Sequence, residues 1–233
     1  MDFQPDYRYF LDVMNNKRPA RLPIYEHIIA PHIMEKVTET RFADLIDGRK
    51  EDIAEFFRNY CLFFKRMTYD TVSFEVSSCQ AGPGPHALSG GEGPIQTRSD
   101  FERFPWDEIP RTFWKTAAPQ FDALAEAMPD GMKMVGGVGN GIFEFAEDVV
   151  GLEYLPLIQV DDPELYTDLF NKIGDLMTEL WRVFLDRYSH MVAAGRFGDD
   201  LGFKSSLLTN PATVRENIIP QYTKIVDAVH AAG

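Results

Sequence analysis

Four short strand-like runs, each separated from the next by a helix-like segment, constrain this chain more than any other feature. The runs are PIYEHI (23–28), YDTVSFEVSS (69–78), MKMVGGVG (132–139) and AAGRFG (193–198). Apolar, β-branched and aromatic residues bounded by turn formers predict strands. Between the first two lies KEDIAEFFRNYCLFFKRM (50–67). Its Ile53, Phe56, Phe57, Tyr60, Phe63, Phe64 and Met67 recur at the spacing of one helical face. Further helices are expected near 111–128, over 161–188 and from Asn210 onward, with a short one over 6–16. Asp161 or Asp162 can cap the third of these, with Pro163 in its first turn. Asn210 and Pro211 repeat that start signal, and Pro220 predicts a kink. Strand and helix alternating four times predicts a parallel α/β sheet, either doubly wound or a (β/α) barrel.

The segment 79–110, CQAGPGPHALSGGEGPIQTRSDFERFPWDEIP, is too rich in Gly and Pro for a regular element and long for a plain connection. Loops of that length are commonly functional.

In both parallel architectures ligands sit at the carboxyl ends of the strands. The first run ends in Glu26 and His27, and the second in Glu75 with Ser77, Ser78 and Cys79. The third ends in Asn140 with Glu144 close behind, and the fourth in Asp199 and Asp200. Acids recurring at matching places would gather several carboxylates at one rim. There they could act as general acids or bases, hold a divalent cation or receive a cationic group. Each could equally cap a helix or face solvent.

Charge and composition narrow the partners. With 23 Lys and Arg against 36 Asp and Glu, the net charge is −13. Nucleic acid and anionic membrane are therefore disfavoured partners. No run of 18 apolar residues occurs, and the start MDFQPDYRYF has no signal-peptide pattern, so a cytoplasmic protein is expected. At 233 residues and 45% hydrophobic, the chain suits one domain over 1–233. Cys61 and Cys79 lie in unlike settings and suggest reduced thiols rather than a disulfide framework.

Weaker signals fail on spacing. GGVGNG (136–141) is neither GxGxxG nor a GK[ST] loop, so its glycines point to close turns. His27 and His32 lack the spacing of HExxH, His86 is expected to face water, and His190 and His230 fall on helices. No GxSxG elbow is present. Trp106, Trp114 and Trp181 are assigned to the core.

Several stretches, in this order, resemble the uroporphyrinogen decarboxylase superfamily, which includes cobamide-dependent methyltransferases. They are RPARLPIYEH, MTYDTVSFEVS, GEGPIQTRSDFERFPW, NGIFEFAEDVVGLEYL with DDPEL, and FGDDLGFKSSLLTNPATVRENIIPQYTKIVDAVHAAG. The resemblance covers nearly the whole chain. It implies a (β/α)8 barrel of the TIM type, here incomplete and ending after the fourth or fifth strand unit. Members run some hundred residues longer. In the methyltransferase branch the next strand carries a His-x-Cys pair that binds zinc with a later Cys, so zinc ligands are expected beyond Gly233 and none within the chain.

Decarboxylases follow their first strand with an arginine-rich motif that receives substrate carboxylates, and PIYEHIIAPH has no arginine. An acidic rim would also repel a polycarboxylate. The resemblance therefore favours methyl transfer between a small methylated compound, a corrinoid protein and a thiol, with zinc and a corrinoid partner as the implied cofactors. Glu75 stands where decarboxylases place a catalytic Asp, and Asp199 and Asp200 stand at a strand end that faces substrate in the family. Glu75, Asp199 and Asp200 are thus the candidate catalytic residues, with Glu26, His27, Asn140 and Glu144 on the substrate side. The alternatives are porphyrinogen decarboxylation in tetrapyrrole biosynthesis, and a non-catalytic half barrel that completes itself as a homo-oligomer.

Overall fold

The computed structural model describes residues 3–82 and 91–233. His86 lies outside the described residues. In chain order the elements are α1 (Arg8–Met14), α2 (Pro31–Thr38), α3 (Lys50–Arg66), β1 (Thr71–Ser77), α4 (Arg98–Arg103), α5 (Ile109–Ala127) and β2 (Lys133–Gly139). They continue with α6 (Ile142–Val150), α7 (Leu155–Asp161), α8 (Pro163–Tyr188), β3 (Val192–Gly195), the two-residue strands β4 (Gly202–Phe203) and β5 (Ser206–Leu207), α9 (Pro211–Thr213) and α10 (Ile219–Ala231). Strands β1, β2 and β3 form a parallel sheet in that order, while β4 and β5 pair as a separate antiparallel hairpin. Among the described residues the sheet does not close into a barrel, and no helix is long and apolar enough to cross a membrane.

Three of the four expected strands form. The first does not: residues 23–28 make no backbone-to-backbone hydrogen bond among the described residues, and Leu22, Ile24, Tyr25 and Ile28 are exposed. Strand propensity needs a ladder partner to express itself. The segment is held instead by a side chain, the Ser73 hydroxyl donating to the Glu26 carbonyl. The long punctuated segment also has more order than its composition predicts. Thr97 and Asp100 form a reciprocal cap that starts α4.

The chain divides into two compact units. The first comprises residues 1–75, 115–136 and 190–196, the second residues 76–114, 137–189 and 197–233.

In the first unit, Phe74 of β1 meets Phe57 and Tyr60 of α3 and Phe121 of α5 in edge-to-face contacts 4.9 to 6.1 Å between centroids. The alternate residues Ser73 and Glu75 therefore lie on the other face of the strand. Asp70, fully buried just before β1, is paired with the Arg21 guanidinium and accepts the Asp6 N–H at 2.7 Å. Gly136 of β2 has φ of 149°, and a Cβ there would lie 1.8 Å from the Phe74 carbonyl oxygen. The glycine run is thus strand backbone in close contact with its neighbour, which accounts for it without a phosphate.

In the second unit, α8 supplies a long buried stripe, including Leu169, Phe170, Ile173, Met177, Leu180, Trp181 and Phe184. The Asp162 side chain accepts the Leu165 N–H at 2.8 Å and Pro163 opens the first turn, as expected from the sequence. Before Pro220 the chain widens into a π-helical turn over Val214–Ile218, the local form that the expected kink takes. Helices α8 and α10 approach closely at Gly174, where a Cβ would fall 2.1 Å from Gln221 Oε1 and 2.7 Å from its Cβ. Replacing Gly174 by Ala gains helix propensity of about 1 kcal/mol but overpacks this contact by about 2 kcal/mol. A net loss of about 1 kcal/mol is expected by urea denaturation, and a stabilised variant would refute this packing.

Candidate functional site

The second unit holds a polar network at the strand ends. Asn140 follows β2 with φ of 67°, a left-handed conformation that costs a non-glycine residue about 1 kcal/mol. Its side chain is held on both sides: it accepts from the Ser77 hydroxyl at the end of β1, and its Nδ2 donates to Glu144 Oε2 at 3.1 Å. Glu144 is the third residue of α6 and also accepts the Gly141 N–H at 3.1 Å. Glu144 is therefore both a capping residue and the partner that orients Asn140.

Asp199 takes two further donors of the same helix start. Its Oδ2 accepts the Phe143 N–H and its Oδ1 the Glu144 N–H, each at 2.8 Å. The Tyr222 hydroxyl of α10 donates to Oδ2. Gly141 allows this approach, since a Cβ there would lie 2.0 Å from Asp199 Cγ. Burial pushes the Asp199 carboxyl above the usual range, against the lowering pull of these three donors. Burial and the adjacent carboxylate hold the Tyr222 phenol protonated, well above its ordinary value. Asp200, the next residue, is exposed and makes no hydrogen bond among the described residues.

One turn along α6 stands Glu147, 8% exposed, with Oε1 buried and without a hydrogen-bond partner among the described residues. Burial, then repulsion from Asp199, Glu144, Asp200 and Asp148, raises its carboxyl to about 7. Cys79 donates its thiol to Asp148, and burial lifts that thiol well above the ordinary range.

The first unit holds a second constellation. Glu75 Oε2 accepts from Arg196 Nη1 at 2.8 Å, and His27 Nε2 lies 3.8 Å from Glu75 Oε1. Arg196 follows β3, and its backbone N–H continues the ladder to the Gly136 carbonyl at 3.0 Å. Burial depresses His27 below the usual imidazole value despite Glu75, and Arg196 lowers it further, so the ring is neutral at pH 7. The Glu26 side chain is exposed, and this residue enters the structure through its carbonyl.

The structure thus brings Asn140, Glu144 and Asp199 together in one unit, and Glu75 with His27 in the other. It leaves the side chains of Asp200 and Glu26 in solvent. Reading by strand ends missed Arg196, Tyr222 and Glu147. Arg196 was visible as the only cation in GRFGDD, and Glu147 as the acid one turn after Glu144. Tyr222 lies far along a helix and gave no local signal.

These features define the class: a mixed α/β protein with a parallel sheet and polar side chains at its carboxyl edge. No protein-family model and no curated protein sequence matches the chain. Among solved structures, one described as a methyltransferase from Methanosarcina mazei is similar in fold, with a TM-score of 0.61 at 13% identity. The match covers 94% of this chain and 66% of that one, so the chain spans just under two thirds of its neighbour's length.

Proposed function

We propose that the chain is the larger part of a (β/α)8-type domain of the uroporphyrinogen decarboxylase and cobamide-dependent methyltransferase superfamily, with a methyltransferase-like activity. In this reading a methyl group passes between a small methylated compound, a corrinoid protein and a thiol. The likeness to the Methanosarcina mazei methyltransferase over 94% of the chain is the observation that carries it. The polar strand ends support it, because parallel α/β folds place their chemistry there.

The residues take distinct parts in this proposal. Glu75 and His27 handle the substrate proton: a neutral imidazole can accept one, and a carboxylate 3.8 Å away steadies the cation formed. Asp199 acts as a positioning residue, holding the start of α6 and with it Asn140 and Glu144. Glu26, in the same unit as Glu75 and His27, is left free to meet polar substrate groups.

The zinc of the methyltransferase branch does not fit the donors here. Among the described residues no three His, Cys, Asp or Glu side chains are placed to hold a metal. Burial raises the Cys61 thiol to about 12 and the Cys79 thiol well above its ordinary value, which disfavours the thiolate that zinc requires. No step is therefore derived through zinc.

The test is methyl transfer from methylcobalamin to a panel of small thiols, followed by loss of the methyl–cobalt absorbance. Turnover that falls at least about tenfold in Glu75→Gln is expected. Release of CO₂ from uroporphyrinogen without methyl transfer would replace this reading by the decarboxylase one.

A further inference from the structure

Arg196 has more donors than its surroundings use. A guanidinium carries five N–H groups. Within the Arg196 guanidinium only Nη1 forms a hydrogen bond among the described residues, to Glu75 at 2.8 Å. The Arg196 and Glu75 side chains are 29% and 22% exposed, sheltered yet open to a small molecule.

The backbone beneath the pair is fixed. Arg196 donates its N–H to Gly136, and Gly136 lies against the Phe74 backbone, next to Glu75. The order β1, β2, β3 puts Glu75 on one outer strand and Arg196 just past the end of the other, with β2 between them. At that level β2 presents Gly136, which has no side chain to intervene. The remaining neighbours come from the 23–28 segment. His27 is 3.8 Å from the carboxylate.

We infer that Arg196 is a receptor for a carboxylate group of a small ligand, with Glu75 occupying the guanidinium while no ligand is bound. A ligand carboxylate takes the planar fork in bidentate form, a geometry that a single Nη1 contact leaves unfulfilled. Displaced from Arg196, Glu75 still has the His27 ring 3.8 Å away. This assigns a substrate class, an organic acid, to the strand-end site of the proposed function, and it rests on that reading of the strand ends.

Two substitutions act in opposite directions. Glu75→Gln removes the internal competitor and is expected to tighten binding about fivefold, the worth of a partly exposed ion pair. Arg196→Gln removes the receptor and is expected to weaken binding at least about tenfold, while Arg196→Lys restores part of it as a point charge. The probe is succinate, titrated calorimetrically into the full chain at constant ionic strength, with neutral succinamide as the control. Thermal melting of each variant establishes that it is folded.

Tighter succinate binding by Glu75→Gln, with loss in Arg196→Gln and no response to succinamide, supports the inference. Equal binding by wild type and Glu75→Gln, retention in Arg196→Gln, or no binding by wild type and Glu75→Gln overturns it. The titration involves no methyl transfer, so a protein that binds succinate but transfers no methyl group contradicts only the proposed function.

Discussion

Asp199→Ala is expected to lower the free energy of unfolding by about 3 kcal/mol, whereas Asp200→Ala changes it by no more than about 0.5 kcal/mol. The two acids are adjacent in sequence, and the contrast comes from what each touches. Asp199 accepts the N–H groups of Phe143 and Glu144 at 2.8 Å, two of the four donors that the start of any helix leaves open. Loss of a capping side chain alone costs about 1 kcal/mol. Charge-assisted bonds are stronger than neutral ones, and Ala also strands the Tyr222 hydroxyl, which donates to the same carboxylate. Tyr222 is half-buried, so leaving its hydroxyl without this partner adds about 1 kcal/mol, the low end of the cost for a buried donor. Asp200 is exposed and has no such partners among the described residues. Urea denaturation of both variants checks the pair. Equal losses, or a larger one at Asp200, would remove Asp199 from its place at the helix start. Asp199→Asn should fall between, because an amide offers one acceptor where a carboxylate offers two.

The same pair shows how far sequence carries. That a strand ends near GRFGDD was legible, because the alternation of strands and helices left no other place for that run. Which of the two acids turns inward was not, since this depends on α6, and Ile142–Val150 was not distinguished as a helix. The apolar periodicity of α3 and the cap and proline of α8 were legible for a local reason. Their signals lie within one or two turns of chain, and the structure reproduces them to within two residues. The segment 23–28 failed for the opposite reason. Its propensity is that of a strand, but a strand is a relation between two segments, and no ladder engages this one among the described residues. The candidate site divides in the same way. Residues immediately after strands could be named, while Arg196, Glu147 and Tyr222 acquire meaning only from long-range contacts.

Glu147 carries the second large effect, a pH dependence of stability. Its carboxyl is raised from the ordinary 4.5 to about 7 in the folded protein. A raised carboxyl means that the folded state holds the proton more tightly than the unfolded chain does. Its contribution is therefore fully present below pH 4.5, is lost as pH rises through 7, and is gone above that. Every tenfold gain in proton affinity on folding is worth about 1.4 kcal/mol, so burying this group in its charged form costs about 3 kcal/mol at pH 8. Glu147→Gln keeps the shape and cannot ionise. It should unfold with nearly the wild-type free energy at about pH 4 and be more stable by about 2–3 kcal/mol at about pH 8. Oε1, unpartnered among the described residues, is consistent with this direction, and Asp199, Glu144, Asp200 and Asp148 all oppose the charge. The measurement is the difference between wild type and variant in urea denaturation at the two pH values, which cancels the titrating groups that do not interact with Glu147. A difference independent of pH would mean that Glu147 ionises freely in the folded protein. A difference that grows with pH shows instead that a carboxyl among four other acids stays protonated near neutrality, as a group that gives and takes a proton at pH 7 must be.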